Sequence, residues 1–444
     1  MIEAEETFFT AYAQGKWTFN KLDIVAGARI EQYDADFAGS LLFRSRIDFD
    51  QAASGTADDE LTLVAPQSER ILTSTSNFEF LPRIALNYNL SDKMKIRAAY
   101  TTALSRPTFD LLTGRINGRF NVEVADGVDI ATATSADIIE AGASFTVGNP
   151  ELRNAYSRNF DISFEYYADK QNAFSVAVFH KQIDDFIFNS FATDADVNLA
   201  GVNDPGALFA SLNLAGRPGF ELVDQLGGFQ GIAALPGFDT DISQARNGEK
   251  ATITGIEFAV FHAFDYLPGI LSHFGFIGNA TFTDSKTTIA IGDFSLTQQQ
   301  IDDGLTVSPA AFVQLGFANT DDILTQEFPF FNSPEAIYNA TLFVDYKGLE
   351  ANLSYRNSGV QLEEIEAFGI SQFQQGRTFI DFNIEYRFKD VGPFGRVTLF
   401  FEANDLTDTG QKPSVFETRG KSRAFNDNST FNGRTFTFGT RVRF

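Results

Sequence analysis

The last ten residues, Thr435 to Phe444, divide into two faces. Phe436, Phe438, Val442 and Phe444 fall on one side, and Thr435, Thr437, Gly439, Arg441 and Arg443 on the other. Successive side chains of a strand point to opposite faces, so this segment is a strand with one apolar and one wet, charged face. The same division recurs along most of the chain in segments of about ten residues, the length a tilted strand needs to cross a bilayer. The pattern predicts an all-β chain, an antiparallel meander forming a transmembrane β-barrel.

Composition fits that expectation. Apolar content is ordinary at 43%, but 49 Phe and 12 Tyr stand against 2 Met and 1 Trp. Aromatic side chains suit strands and the girdles where a barrel meets the membrane surface. No run approaches the roughly eighteen consecutive apolar residues of a helical span. The formal net charge of −24 argues against a nucleic-acid partner, whose phosphates demand a basic surface. Without cysteine there is no disulfide, no thiolate metal site and no cysteine nucleophile. The opening Met1-Ile2-Glu3-Ala4-Glu5-Glu6 has neither the basic nor the apolar region of an export signal. A barrel protein must be exported, so this start is read as a mature end or as the absence of the front of a longer protein.

Thirteen strands are expected. The first two cover Thr7–Trp17 and Leu22–Asp36, and a long polar connection is expected from Phe37 to Ser76. Phe78–Asn89 and Met94–Leu104 follow, then Arg158–Tyr167 and Ala173–Phe188, then Glu249–Phe264 and Phe274–Thr288. The C-terminal third is the clearest. Ile380, Phe382, Ile384, Tyr386 and Phe388 oppose Asp381, Asn383, Glu385 and Arg387. Short and long connections alternate, as the periplasmic turns and external loops of outer-membrane barrels do. Full charges on the polar faces exclude a small packed core and suit a wide, wet lumen.

Several motifs carry a second signal. Leu104-Ser105-Arg106-Pro107-Thr108-Phe109 closes one strand, and Gly148-Asn149-Pro150-Glu151-Leu152-Arg153 precedes another, Asn159 to Tyr167. Ala251–Phe258, Phe401–Asp408 and Gly433–Phe436 follow in order. On these segments the whole chain resembles a TonB-dependent outer-membrane receptor. The resemblance implies a bacterial outer-membrane location and TonB-driven active uptake of a bulky, scarce nutrient, without covalent chemistry or cofactor. Such receptors have 22 strands around a plug. Counted back from Phe444, the thirteen strands match the tenth to twenty-second. The resemblance therefore implies that residues 1–444 form one barrel domain, the C-terminal part of a larger barrel. The plug, the first nine or so strands and the TonB-engaging motif would be absent, leaving an incomplete barrel with two unpaired edges. The implied partners are outer-membrane lipid and lipopolysaccharide, TonB through the absent N-terminal region, and a small-molecule or oligosaccharide ligand.

Ligand class stays open between carbohydrate and an iron–siderophore complex. Phe109, Phe191, Phe328, Phe330 and Phe331 lie in outer loops, where aromatic rings stack on sugars or pack the loops themselves. Lys412, Arg419, Lys421 and Arg423 form a basic cluster suited to an anionic chelate or lipopolysaccharide phosphates. His180, His262 and His273 lack metal-ligand spacing and read as interface or turn histidines. Glu363, Glu364 and Glu366 read as a solvated acidic loop, or as a cation or acid–base site. A passive porin or specific channel is the alternative function, and a secreted β enzyme the third.

Overall fold

A computed structural model describes residues 3–50, 61–113, 116–124, 134–192, 239–292, 324–365, 371–388, 391–392, 395–408, 415–419 and 425–443. Thirteen wall strands form one antiparallel meander. They are β1 (Glu3–Phe19), β2 (Leu22–Asp50), β3 (Leu61–Ser91), β4 (Met94–Ser105), β5 (Ala155–Asp169), β6 (Asn172–Asp184) and β7 (Lys250–Ala263). The series continues with β8 (Phe274–Gly292), β9 (Ala336–Tyr346), β10 (Leu349–Ser358), β11 (Arg377–Phe388), β12 (Arg396–Asn404) and β13 (Thr435–Arg443). Each pairs with its predecessor and successor in that order. Among the described residues no helix is long and apolar enough to cross a membrane.

Tight turns join the strands at one end of the sheet. Lys347 and Gly348 between β9 and β10 have φ of 51° and 93°. Two successive left-handed residues are what a type I′ hairpin needs, and its twist matches that of the flanking strands. Long connections leave the other end. There β2 and β3 run well past their expected limits. Their pairing continues from Leu22↔Tyr88 to Ser40↔Arg70, shifts at a bulge, and resumes to Ile47↔Leu61. The expected polar connection of 37–76 is thus largely a strand extension.

The sheet is open. Among the described residues β1 pairs only with β2, and β13 only with β12. Both edge strands run toward the tight-turn end. An antiparallel closure therefore needs an odd number of intervening strands, which brings the total to an even number.

Candidate functional site

Cross-strand partners in a ladder share a face, so register sorts the wall into two surfaces. One row joins Trp17, Ile24, Leu86, Ala98, Ile162, Val178, Ile256 and Phe282 across eight strands. A second joins Phe276, Leu342, Leu353, Phe382, Ala403 and Phe436. Many of these apolar side chains are exposed, Ile162 at 53% and Phe436 at 59%. Along β2 this face changes after Ile30, where Gln32, Asp34 and Asp36 replace Ile24, Ala26 and Ala28. Ser76 and Gln32 hydrogen-bond the Asp34 carboxylate at 2.6 and 3.0 Å and hold it below the usual carboxylate range. The apolar band is therefore bounded, as a barrel's lipid-facing surface is.

The opposite face is the lumen side, because the chain's own loops fold onto it. On β2 the alternate residues Glu31, Tyr33, Ala35 and Phe37 are buried, together with Leu112 and Leu152 from the connection between β4 and β5. Phe109 packs its ring on Phe37 at 5.6 Å. Arg106, which follows β4 directly, reaches the Glu31 carboxylate, and Arg29 reaches it from β2 itself. The Arg106 guanidinium also lies over the rings of Tyr33 at 4.8 Å and Phe8 at 5.3 Å. Burial, and then the nearby Arg29, lower its pKa. Tyr33 donates its hydroxyl to Glu6 at 2.7 Å; burial and Glu6 push its own pKa up. Gly148 completes this junction. A Cβ there would meet the Thr113 carbonyl oxygen at 1.8 Å, so only glycine permits the approach. Asn149 then donates to the Ala245 carbonyl at 3.0 Å, tying the segment to the strand Asp239–Asn247.

A second cluster covers the lumen side of β6 to β8. Phe186, Ala251, Ile289 and Phe328 pack with Leu362, Ile365 and Phe373. The last three belong to a small rim sheet of Gln361–Ile365, Ser371–Gln374, Val415–Arg419 and Phe425–Thr430. Its opposite face carries Glu363, which accepts from Gln374 at 2.9 Å, and Glu417, which accepts from Gln372 at 3.2 Å. Burial, then Glu417 and Glu364, push the Glu363 carboxyl above its usual range. Among the described residues no group of three or more His, Asp or Glu is placed to hold a metal ion.

Below the mouth the lumen wall is largely polar, with scattered phenylalanines, and differs along the sheet. On β3 to β5, Arg97 pairs with Glu165 at 2.7 Å, Tyr167 donates to Glu165 at 2.7 Å, and Arg97 reaches Asn87 at 3.4 Å. On β9 to β12, Arg356 pairs with Asp381 at 2.8 Å and Arg387 with Glu350 and Glu385, and amides and hydroxyls join Arg356 and Asp381 in lining a recess of about 390 Å³. Asn352, Asn383 and Glu402 stand in one row across it.

This architecture has a clear counterpart. A family model described as TonB dependent receptor-like, beta-barrel, matches residues 3–406. The chain belongs to the TonB-dependent receptor family. No curated protein sequence matches it. Among solved structures it is similar to the ferric-catecholate import receptor Fiu of E. coli K12, with 12% identity and a TM-score of 0.51 over 100% of this chain and 45% of that one. It is similar to the copper transporter OprC, with 13% identity and a TM-score of 0.51 over 99% and 48%. The Serratia marcescens hemophore receptor HasR gives 12% identity and a TM-score of 0.51 over 99% and 51%. At such identities the likeness is one of fold. The chain spans about half the length of these structures.

Within this receptor chain the sequence candidates fall in separate places. Phe328, Phe330 and Phe331 join the cluster over β6 to β8, where Phe186 meets Phe330 edge-on at 5.5 Å. Phe109 lies in the other cluster, against β2. Phe191 sits in the strand Ile187–Ala192, and Arg419 in the rim strand Val415–Arg419. Lys412, Lys421, Arg423 and Glu366 lie outside the described residues. Glu363 and Glu364 stand on a rim strand rather than in a loop. His262 contacts Phe264 and Tyr266, His273 contacts Tyr346, and His180 bonds Thr254 at 2.8 Å. Sequence reasoning missed the Glu31–Arg106 junction and the Asn352–Asn383–Glu402 row. Arg106 stood in a quoted motif, but its partner lies on a strand far back in the chain.

Proposed function

We propose that this chain forms barrel wall of an outer-membrane receptor that takes up a bulky, scarce nutrient, a carbohydrate or an iron–siderophore complex, with energy supplied through TonB. One observation carries the reading. A bounded apolar band covers one face of the sheet, while the other is polar, charged and roofed at one end by the chain's own loops. A wall of that kind separates lipid from an aqueous lumen. The open edges of β1 and β13 fit a wall completed by further strands, since unpaired backbone groups are costly in lipid. Family membership supports uptake over catalysis. The names of the three structural neighbours describe an import receptor, a transporter and a hemophore receptor.

The test is uptake by cells expressing the protein from its own gene. The gene's removal should abolish accumulation of one scarce solute from a panel of neutral oligosaccharides and ferric chelates. Removal of TonB should do the same. Uptake that persists without TonB would make the protein a passive channel. Turnover of the solute by purified protein, lost when a loop carboxylate is replaced, would make it an enzyme.

A further inference from the structure

The wall is a meander of hairpins, which give only antiparallel neighbours, yet its external connections contain parallel pairs. Asp239–Gln244 runs parallel to Gly142–Val147, and the tip of β2, Ile47–Asp50, runs parallel to Phe120–Glu123. No short turn joins the members of a parallel pair, so each pair is a contact between different connections. Antiparallel pairing of Ile116–Val124 with Ile138–Val147, and of Ile242–Asn247 with Ile187–Ala192, fills in the rest. The connections after β2, β4 and β6 therefore share one hydrogen-bonded sheet, the first of them through the tip of β2. Side chains tie it further. Asn247 accepts from the Arg153 amide at 2.8 Å and donates to the carbonyls of Arg153 at 3.0 Å and Asp185 at 2.8 Å. Gln244 donates to the Gly148 carbonyl at 3.2 Å.

The connections after β8, β10 and β12 are joined in a second body. The rim sheet pairs a strand of the connection after β10 with one of the connection after β12. The connection after β8 reaches it through the Asn332 amide, which donates to the Leu362 carbonyl at 2.8 Å, and through Phe328, Phe330 and Phe331 in its apolar cluster. Among the described residues this cluster shares no member with the one around Tyr33, Phe37, Leu112 and Leu152. The two meet at one short stretch. Phe186 and Phe188 pack into the rim cluster, whereas Ile187 packs into the other. Successive strand residues point to opposite faces, so this stretch is a seam with one body on each side.

We infer that the mouth is built as two cooperative units of three connections each, joined at the seam of residues 186–188 and able to open separately. Segments that share hydrogen bonds and one cluster open together, whereas units with separate clusters open with their own free energies. A mouth of this design releases one leaf while the other stays docked on the wall. The inference goes beyond the uptake reading and does not depend on which solute is carried.

Hydrogen exchange, read by mass spectrometry on the full protein purified from outer membranes, tests it. Asn247→Ala should speed exchange at least tenfold in residues 116–124, 138–147 and 239–247. It should leave residues 324–328, 361–365, 371–374, 415–419 and 425–430 within twofold of wild type. Phe373→Ala should do the reverse. The seam gives the sharpest comparison: Ile187→Ala should loosen the first set and Phe188→Ala the second, although the two residues are adjacent. Heat-modifiable gel mobility confirms that the compared proteins are equally assembled; should Phe373→Ala fail to assemble, the two seam variants decide. A substitution that speeds both sets together would make the mouth a single unit and overturn the inference. Exchange quickened only in the connection that carries the substitution would show that each connection opens alone, and overturns it too. Unchanged exchange in all the assembled variants does the same.

Discussion

The two halves of the lumen wall use polar residues differently. On β2 to β5 charges are spent on one another. Arg29, Arg106 and Glu31 meet beneath the mouth loop, and Arg97 and Glu165 bridge neighbouring strands. On β9 to β12 the ion pairs Arg356–Asp381 and Arg387–Glu350 stand beside Asn352, Asn383 and Asn404, whose side chains make no hydrogen bond among the described residues. The first arrangement holds the wall and its loop together, and the second adds open amide donors and acceptors to a cross-paired wall. A largely polar face is therefore not one kind of surface. Which of its groups are mutually satisfied varies along the wall.

The largest expected effect tests the scaffold half. Replacing Glu31 by Ala strands two guanidinium groups beside a buried site, and loss of one partner of a buried pair costs about 3–5 kcal/mol. Urea unfolding of the assembled protein in detergent should show a loss of that order. Asn352→Ala should stay within about 0.5 kcal/mol, as a substitution that removes no pairing. Similar losses at both sites would erase the distinction between the halves.

On the lipid face the halves should behave alike. Ile162→Arg on β5 and Ile384→Arg on β11 should each cost about 2–4 kcal/mol, the range for a cationic side chain near the bilayer midplane. Assembly measured by heat-modifiable mobility should fall for both. Tolerance of either would mean that its residue does not face lipid.

A smaller effect is expected from Arg97→Met. The pair with Glu165 is partly exposed, with the Arg97 side chain at 46%, and such pairs contribute about 0.2–1 kcal/mol. The loss should shrink as salt rises. A salt-independent loss would point to packing by the arginine stem instead.

The smallest effect concerns pH at the rim. Glu363 has a raised carboxyl pKa in the folded protein, so the fold binds its proton more tightly than the unfolded chain does. Its protonated form is the favoured one. The rim sheet should lose protection as pH rises through the ordinary glutamate range and above it, and Glu363→Gln should flatten that dependence. Hydrogen exchange of residues 361–365 between pH 4 and 8 reads this out. Equal pH dependence in wild type and variant would assign it to another group.

Much of the wall was legible in the chain itself. The alternation through Ile380, Phe382 and Ile384 placed one face in lipid, and Arg106 and Gly148 lay in quoted motifs. The strand extension beyond Asp36 was not legible, because the bulge between Ser40 and Leu42 interrupts the period of two there. The aromatic candidates were legible as a group but not as two groups. Phe109 and Phe328 fold over different strands, and no local pattern records which wall a loop leans on.

Sequence by itself determined which side of each strand faces lipid, since a side chain's face follows from its place in a period of two. Tertiary structure alone decided which polar groups are paired. Asn383 lies opposite Asn352 and Glu402 because turns and long connections set the register of β10, β11 and β12. A one-residue slip would have sent those amides to the other face. Glu31 likewise meets Arg106 only because the loop after β4 folds back across β2. Periodicity is local, whereas pairing depends on residues brought together from distant parts of the chain.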